Sequence, residues 1–223
     1  MTSLSSRKEP WLCYITDRKA FAGDESERQQ KLLRKIAEAA AAGVDIVQLR
    51  EKDLSGRELE KLAAAAAETI RCSASPDTVS STKFLINARV DIALPAGADG
   101  VHLPAQDLSP TEVRSVWARS TNTLPLISVA GHTIEDVRGA ADARADLVLF
   151  APVFGKQSVP ELPAAGLKAL HEVCRDLSIP VLALGGVTLA NARACREAGA
   201  AGLAAIRLFQ ENDIAGVVRE LRY

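Results

Sequence analysis

The chain has 223 residues, 48% of them apolar and 25% charged, a composition that suits one globular unit with a sizeable core and an α/β barrel of about 200–250 residues. A formal net charge of −1 gives no field for holding nucleic acid or an anionic membrane surface. No apolar run approaches the roughly 18 residues that a membrane span needs.

Residues 1–10, MTSLSSRKEP, lack the apolar stretch of a secretory signal and read as an N-terminal arm ahead of a barrel domain over 11–223. LCYIT (12–16) predicts the first strand, and Thr16-Asp17-Arg18 stand at its end. From Glu25 to Ala42 the spacing predicts a helix with Leu32, Leu33, Ile36 and Ala40 on one stripe. The second strand, DIVQL (45–49), runs into QLREKD, where Gln48, Arg50 and Lys52 alternate and so share one side of an extended segment. A planar guanidinium beside a point-charge ammonium suits phosphate or diphosphate oxygens; a solvated charge cluster is the competing reading. CSASPDTVSST (72–82) reads as a long loop on the opposite face. KFLIN (83–87) ends at Asn87, followed by Ala88 and Arg89, and Pro95 holds the helical stretch after it to about two turns.

GVHL (100–103) places His102 in the fourth strand as a satisfied core histidine. Gln106 and Asp107 follow, with Asp107 just ahead of a helix start at Ser109-Pro110; it is either a hard-cation ligand or part of the helix cap. PLISV (125–129) opens onto His132, placed for acid–base work but also beside Thr133, a natural N-cap. LVLF (147–150) leads into FAPVFGKQSVPELP (150–163), a long loop that reads as a lid carrying Lys156 and Gln157. PVLAL (180–184) ends in Gly185-Gly186-Val187-Thr188, and GLAAI (202–206) ends in Ile206-Arg207. Two helix starts of this kind offer backbone N–H groups to an anion, and the loops after strands seven and eight are where such barrels hold phosphate.

The helix-to-strand junctions repeat as AAAGVDIVQL, PAGADGVHL, DARADLVLF and EAGAAGLAAI, with Gly43, Gly97 and Gly199 at left-handed positions closing their helices. Eight strands alternating with helices predict parallel βαβ units and a closed (β/α)8 TIM barrel rather than a doubly wound sheet. The four cysteines, Cys13, Cys72, Cys174 and Cys195, show neither CxxC pairing nor histidines at zinc spacing. A reducing, cytoplasmic setting is the default they imply.

Taken in order, YITD (14–17), VQLREKD (47–53), INAR and VDIAL (86–94), ADGVHL (98–103), ISVAGHT (127–133), PVF (152–154), PVLALGGVT (180–188) and AGAAGLAAI (198–206) resemble the thiamine-phosphate synthase superfamily. That superfamily also contains the thiazole tautomerase TenI. The resemblance implies an enzyme of thiamine biosynthesis that joins a hydroxymethylpyrimidine diphosphate to a thiazole phosphate, releasing diphosphate with Mg²⁺ assistance. It implies that Gln48, Arg50, Lys52 and Asn87 contact the pyrimidine diphosphate, with Arg50 and Lys52 acting on the leaving group. It also implies that Asp107 is a metal ligand and that the Gly185-Gly186 and Ile206-Arg207 loops hold the thiazole phosphate; Lys156 and Gln157 are substrate-binding candidates by their place in the lid alone. Four departures stand out: Ala88 in place of the second metal-binding aspartate, Ala130 in place of serine, GKQSV (155–159) in the lid, and Arg207 in place of serine. The tautomerase pattern shares the missing aspartate and the Leu103-Pro104 pair, but its catalytic histidine falls where this chain has Pro152. A tautomerase with His132 as base, and a non-catalytic barrel that binds thiazole or thiamine phosphate, are therefore the alternatives to the synthase. The expected partners are the two small phosphorylated substrates, with a homo-oligomer left open.

Overall fold

The structure, a computed structural model, describes residues 9–73, 82–105, 107–155, 164–175, 177 and 179–222. Eight parallel strands, β1 (Trp11–Ile15), β2 (Ile46–Leu49), β3 (Lys83–Asn87), β4 (Gly100–Leu103), β5 (Leu126–Gly131), β6 (Leu147–Phe150), β7 (Val181–Leu184) and β8 (Gly202–Ala205), close in sequence order into a barrel. The ring is sealed by β1 against β8, with Trp11 paired to Gly202 and Cys13 to Ala204. This is the expected (β/α)8 architecture.

The helices are α1 (Glu25–Ala41), α2 (Gly56–Ser73), α3 (Val90–Ala93), α4 (Pro110–Ser120), α5 (Ile134–Asp142), α6 (Gly166–Arg175), α7 (Leu189–Glu197), α8 (Arg207–Gln210) and α9 (Ile214–Arg222). Their starts follow local chemistry. Asp24, Ser109 and Thr133 each accept a backbone N–H three residues on, and Glu27, Glu112 and Asp136 reach back to complete capping boxes. Pro95 permits less helix than expected: α3 is a single turn. None of the described helices is long and apolar enough to cross a membrane.

Alternation along the strands separates two apolar sets. Leu12, Tyr14, Val47, Ile86, Val101, Ile127, Val148 and Leu203 pack outward with the helices. Cys13, Ile15, Ile46, Leu85, Leu147, Leu149, Leu182 and Ala204 pack on one another inside the ring. All four cysteines are free, and burial pushes the Cys174 thiol up to about 12 and that of Cys195 to about 11.

The repeated junctions have a physical basis at the N-terminal end of the barrel. Asp45, Asp99 and Asp146 each stand just before a strand and accept the N–H of the second residue of the strand preceding it. The bonds are Leu12 N to Asp45 at 2.9 Å, Phe84 N to Asp99 at 2.9 Å and Ile127 N to Asp146 at 2.7 Å. Each carboxylate also meets a cation, Arg222 at 3.0 Å, Lys83 at 2.8 Å and Arg114 at 2.7 Å respectively. The fourth junction has Ala201 in this place, and its carbonyl receives Trp11 N–H at 3.0 Å. This end of the molecule is committed to stability, leaving the opposite end for function.

The N-terminal arm expected over 1–10 lies outside the described residues except for Glu9 and Pro10, as does most of the expected loop over 72–82.

Candidate functional site at the C-terminal mouth of the barrel

Where the inward-facing rows of β2 to β5 reach the mouth, their side chains change from apolar to polar. Gln48, Asn87, His102 and Ser128 occupy these places, on registers that set Asn87 beside His102 and His102 beside Ser128. Gln48 Nε2 donates to Asn87 Oδ1 at 3.2 Å, and His102 Nδ1 lies 2.9 Å from Ser128 Oγ. His102 is thus the satisfied buried histidine that the sequence suggests. Burial, reinforced by the charges of Arg50 and Lys52, brings its pKa down to about 3, so the imidazole is neutral. Gln48 is 1% exposed, and its Oε1 has no hydrogen-bond partner among the described residues. A buried acceptor in that condition is open to a further donor such as a ligand N–H or a water.

Arg50 and Lys52 stand above this layer, close enough for both charges to act on His102. Among the described residues neither side chain takes part in an ion pair. The acids of the same segment face away: Glu51 and Asp53 both bind Arg18. Burial raises the carboxyl of Glu51 in spite of bonds from Thr16 and Arg18, while Arg18 holds Asp53 well below the usual carboxylate range.

The other half of the mouth is built from β7 and β8. Leu184 and Ile206 cap the interior apolar cluster. Beyond them Gly185 and Gly186 have φ of 95° and 66°, and a Cβ on either would meet Pro152 Cα at 2.8 Å or Phe154 Cβ at 2.7 Å. Only glycine suits both the backbone and the space. Asn191 braces the turn, accepting Thr188 N–H at 2.8 Å and donating to Gly186 O at 2.9 Å. Gly186 and Arg207 are exposed, and α8 starts directly at Arg207, after Ile206. Gln210, 5% exposed, accepts from Tyr14 Oη at 2.9 Å and donates to Asp17 O at 2.7 Å, tying α8 to the end of β1.

His132 lies between the halves. Its Nδ1 sits 2.7 Å from Ala151 O, a contact that requires the proton on Nδ1 and leaves Nε2 as an acceptor. Its backbone N–H bonds Asp136, so it also belongs to the cap of α5.

Asp107 is exposed, and its Oδ1 accepts Leu108 N–H at 2.8 Å. The cap of α4 is Ser109, not Asp107. No group of three or more His, Cys, Asp or Glu suited to a metal occurs among the described residues. With Ala88 in place of a carboxylate and the Asn87 amide oxygen engaged by Gln48, these donors do not fit a metal held by the protein alone.

The structure therefore brings Gln48, Arg50, Lys52 and Asn87 to one side of the mouth and Gly185, Gly186, Ile206 and Arg207 to the other. Lys156 and Gln157 lie outside the described residues. Sequence reasoning missed Ser128, Glu51, Asp53, Arg18 and Gln210. The signal for Arg18 was a cation at the end of β1 facing two acids interleaved with Arg50 and Lys52. A cavity of about 450 Å³ at the opposite end of the barrel is lined by Ile70, Arg71, Thr82, Phe84 and Asp99. Its two acids are already paired, Asp99 with Lys83 and Glu68 with Arg71, so among the described residues no free charged groups converge there.

A family model described as thiamine monophosphate synthase matches residues 12–209. A thiamine-phosphate synthase of Methanoculleus marisnigri is 39% identical over 187 residues, covering 82% of this chain and 83% of its own. One from Syntrophomonas wolfei is 33% identical over 213 residues, covering 95% and 94%. Among solved structures, thiamine phosphate pyrophosphorylase from Pyrococcus furiosus superposes with a TM-score of 0.75 at 25% identity, covering 95% of this chain and 93% of that one.

Proposed function

The chain belongs to the thiamine monophosphate synthase family, and on that premise we propose that it joins a hydroxymethylpyrimidine diphosphate to a thiazole phosphate and releases diphosphate. The observation that carries this reading is the pair Arg50 and Lys52, unpaired among the described residues and standing over a buried amide layer with an orphaned acceptor at Gln48.

In this reading the pyrimidine ring enters the polar half of the mouth, where Gln48 Oε1 accepts from it and Asn87 orients Gln48. Arg50 and Lys52 hold the diphosphate and neutralise the charge that collects on it as it leaves. Neutral His102 keeps a competing cation out of the layer. The thiazole phosphate rests on the Gly185-Gly186 turn and at the Ile206-Arg207 start of α8, so the two substrates approach from opposite sides. Lys156 and Gln157 belong to the segment expected to cover them. Were Mg²⁺ to accompany the diphosphate, Asp107 would be the carboxylate to hold it, and the ion would neutralise charge on the leaving oxygens.

His132, with Nε2 free to accept a proton, supports the tautomerase as the second reading. Mass-spectrometric detection of thiamine phosphate from the purified protein and both substrates separates the two. The synthase reading expects product from wild type and a loss of roughly 100-fold or more in kcat/KM for Arg50→Ala. Isomerisation of the thiazole without coupling, sensitive to His132→Ala and not to Arg50→Ala, would establish the tautomerase instead.

A further inference from the structure

The segment from Gln48 to Asp53 has two faces, and only one meets the mouth. Gln48, Arg50 and Lys52 occupy that face; Glu51 and Asp53 turn to the other, where they enclose Arg18. The Arg18 side chain is 3% exposed. Its Nη1 lies 3.1 Å from Glu51 Oε2 and 2.7 Å from Asp53 Oδ1, its Nη2 lies 2.8 Å from Asp53 Oδ2, and its Nε donates to Glu25 Oε1 at 2.7 Å. Glu51 further accepts from Thr16 Oγ1 at 2.6 Å and from the Arg18 backbone N–H at 3.1 Å. Thr16 Oγ1 in turn accepts the backbone N–H of Arg50 at 3.0 Å. An unbroken chain of bonds therefore joins the Arg18 guanidinium, through Glu51 and Thr16, to the backbone of Arg50.

We propose that Arg18 and Glu51 are positioning residues for the diphosphate subsite, rigidly presenting Arg50 and Lys52 and withholding the neighbouring acids from them. Two physical effects act together. A network whose guanidinium and Glu51 are buried, at 3% and 2% exposure, has one low-energy geometry there, so residues 50–53 are fixed before ligand arrives. A buried carboxylate that loses its counterion also takes the nearest cation. Without Arg18, Asp53 keeps Lys19, whose Nζ lies 3.0 Å from its Oδ2, whereas buried Glu51 is left to draw on Arg50 and Lys52, its neighbours in the chain, which would then be paired internally and lost to the ligand. Lysine cannot replace Arg18, because one ammonium cannot make a two-pronged pair with Asp53 while also reaching Glu51 and Glu25.

This inference rests on the synthase reading, which supplies the diphosphate. Its test is calorimetric titration of inorganic diphosphate, with Mg²⁺ present, into wild type, Arg50→Ala, Arg18→Met, Arg18→Lys and Asp53→Ala. Asp53 is partly exposed at 39%, so its variant decides the matter if Arg18→Met does not fold. Wild type should bind, Arg50→Ala should bind poorly, and Arg18→Met should weaken binding about 10- to 100-fold, the scale seen when a supporting partner of a ligand-binding group is removed. Arg18→Lys should recover only part of the loss, and Asp53→Ala should lie between it and wild type. In steady state the KM for the pyrimidine diphosphate should rise while that for the thiazole phosphate stays unchanged, a split that general damage to the barrel would not produce. Clamp variants binding diphosphate as wild type does, while Arg50→Ala does not, would overturn this inference alone; so would an equal rise in both KM values. A wild type that does not bind diphosphate would overturn the synthase reading and this inference with it.

Discussion

Ala88 has a left-handed backbone, φ 60°, immediately after Asn87 and at the position where the resemblance leads one to expect an aspartate. Aspartate tolerates that conformation better than alanine. Ala88→Asp should therefore fold with stability within about 1 kcal/mol of wild type, and it should raise product formation at limiting Mg²⁺ by adding a hard ligand beside the diphosphate. An unchanged dependence on Mg²⁺ would show that position 88 does not face the ion. His102 makes a second residue-scale prediction. Its pKa is about 3 in the folded protein against an ordinary 6.5, so below pH 6.5 the unfolded chain takes up a proton that the folded protein refuses. Its contribution to stability is whole above pH 6.5 and falls away by about 1.4 kcal/mol per pH unit as the solution is acidified toward pH 3. Asp53, held low, adds its own loss only at more acid pH, and Glu51, held high, works in the opposite direction. Urea unfolding at pH 7 and pH 5 should show His102→Asn losing about 2 kcal/mol less than wild type over that interval. Equal losses would mean that the ring titrates normally.

At the scale of elements, the junction before β6 departs from its counterparts. Gly43, Gly97 and Gly199 supply the left-handed residue elsewhere, whereas DARAD uses Arg144 at φ 65°. Its side chain is exposed, so Arg144→Gly should relieve backbone strain without losing packing and stabilise the protein by about 0.5–1 kcal/mol, after the greater freedom of glycine in the unfolded chain is deducted. A lower melting temperature in a thermal scan would contradict this. These elements were legible because their signals are local. Each strand is a short apolar run, and caps such as Asp24, Ser109 and Thr133 precede their helices with the acid of the capping box three residues on. The Asp45, Asp99 and Asp146 repeat was visible as a pattern, but its cause was not, because the N–H groups it satisfies belong to strands far back in the sequence. The Arg18 network was hidden for the same reason: Glu51 and Asp53 lie 33 and 35 residues away, and in QLREKD they look like ordinary surface charge.

For the whole molecule, closure of the ring is what turns scattered strand ends into one site. Gln48, Asn87, His102 and Ser128 fall on four successive strands and become one polar layer only because β2 to β5 are neighbours in register. The glycine turn after β7 and the start of α8 form the facing side, and Gln210 ties α8 to the loop after β1, beside Arg18. The mouth is thus divided, with the two cations Arg50 and Lys52 over amides on one side and backbone donors with Arg207 on the other. A crystal structure of the protein with diphosphate, Mg²⁺ and thiazole phosphate bound together tests this division. The diphosphate should lie within hydrogen-bond distance of Arg50 and Lys52, and the phosphate of the thiazole against the backbone of Gly185, Gly186 and Arg207. Both anions on one side of the mouth, or the Gly185-Gly186 turn left without a phosphate at saturating ligand, would contradict it.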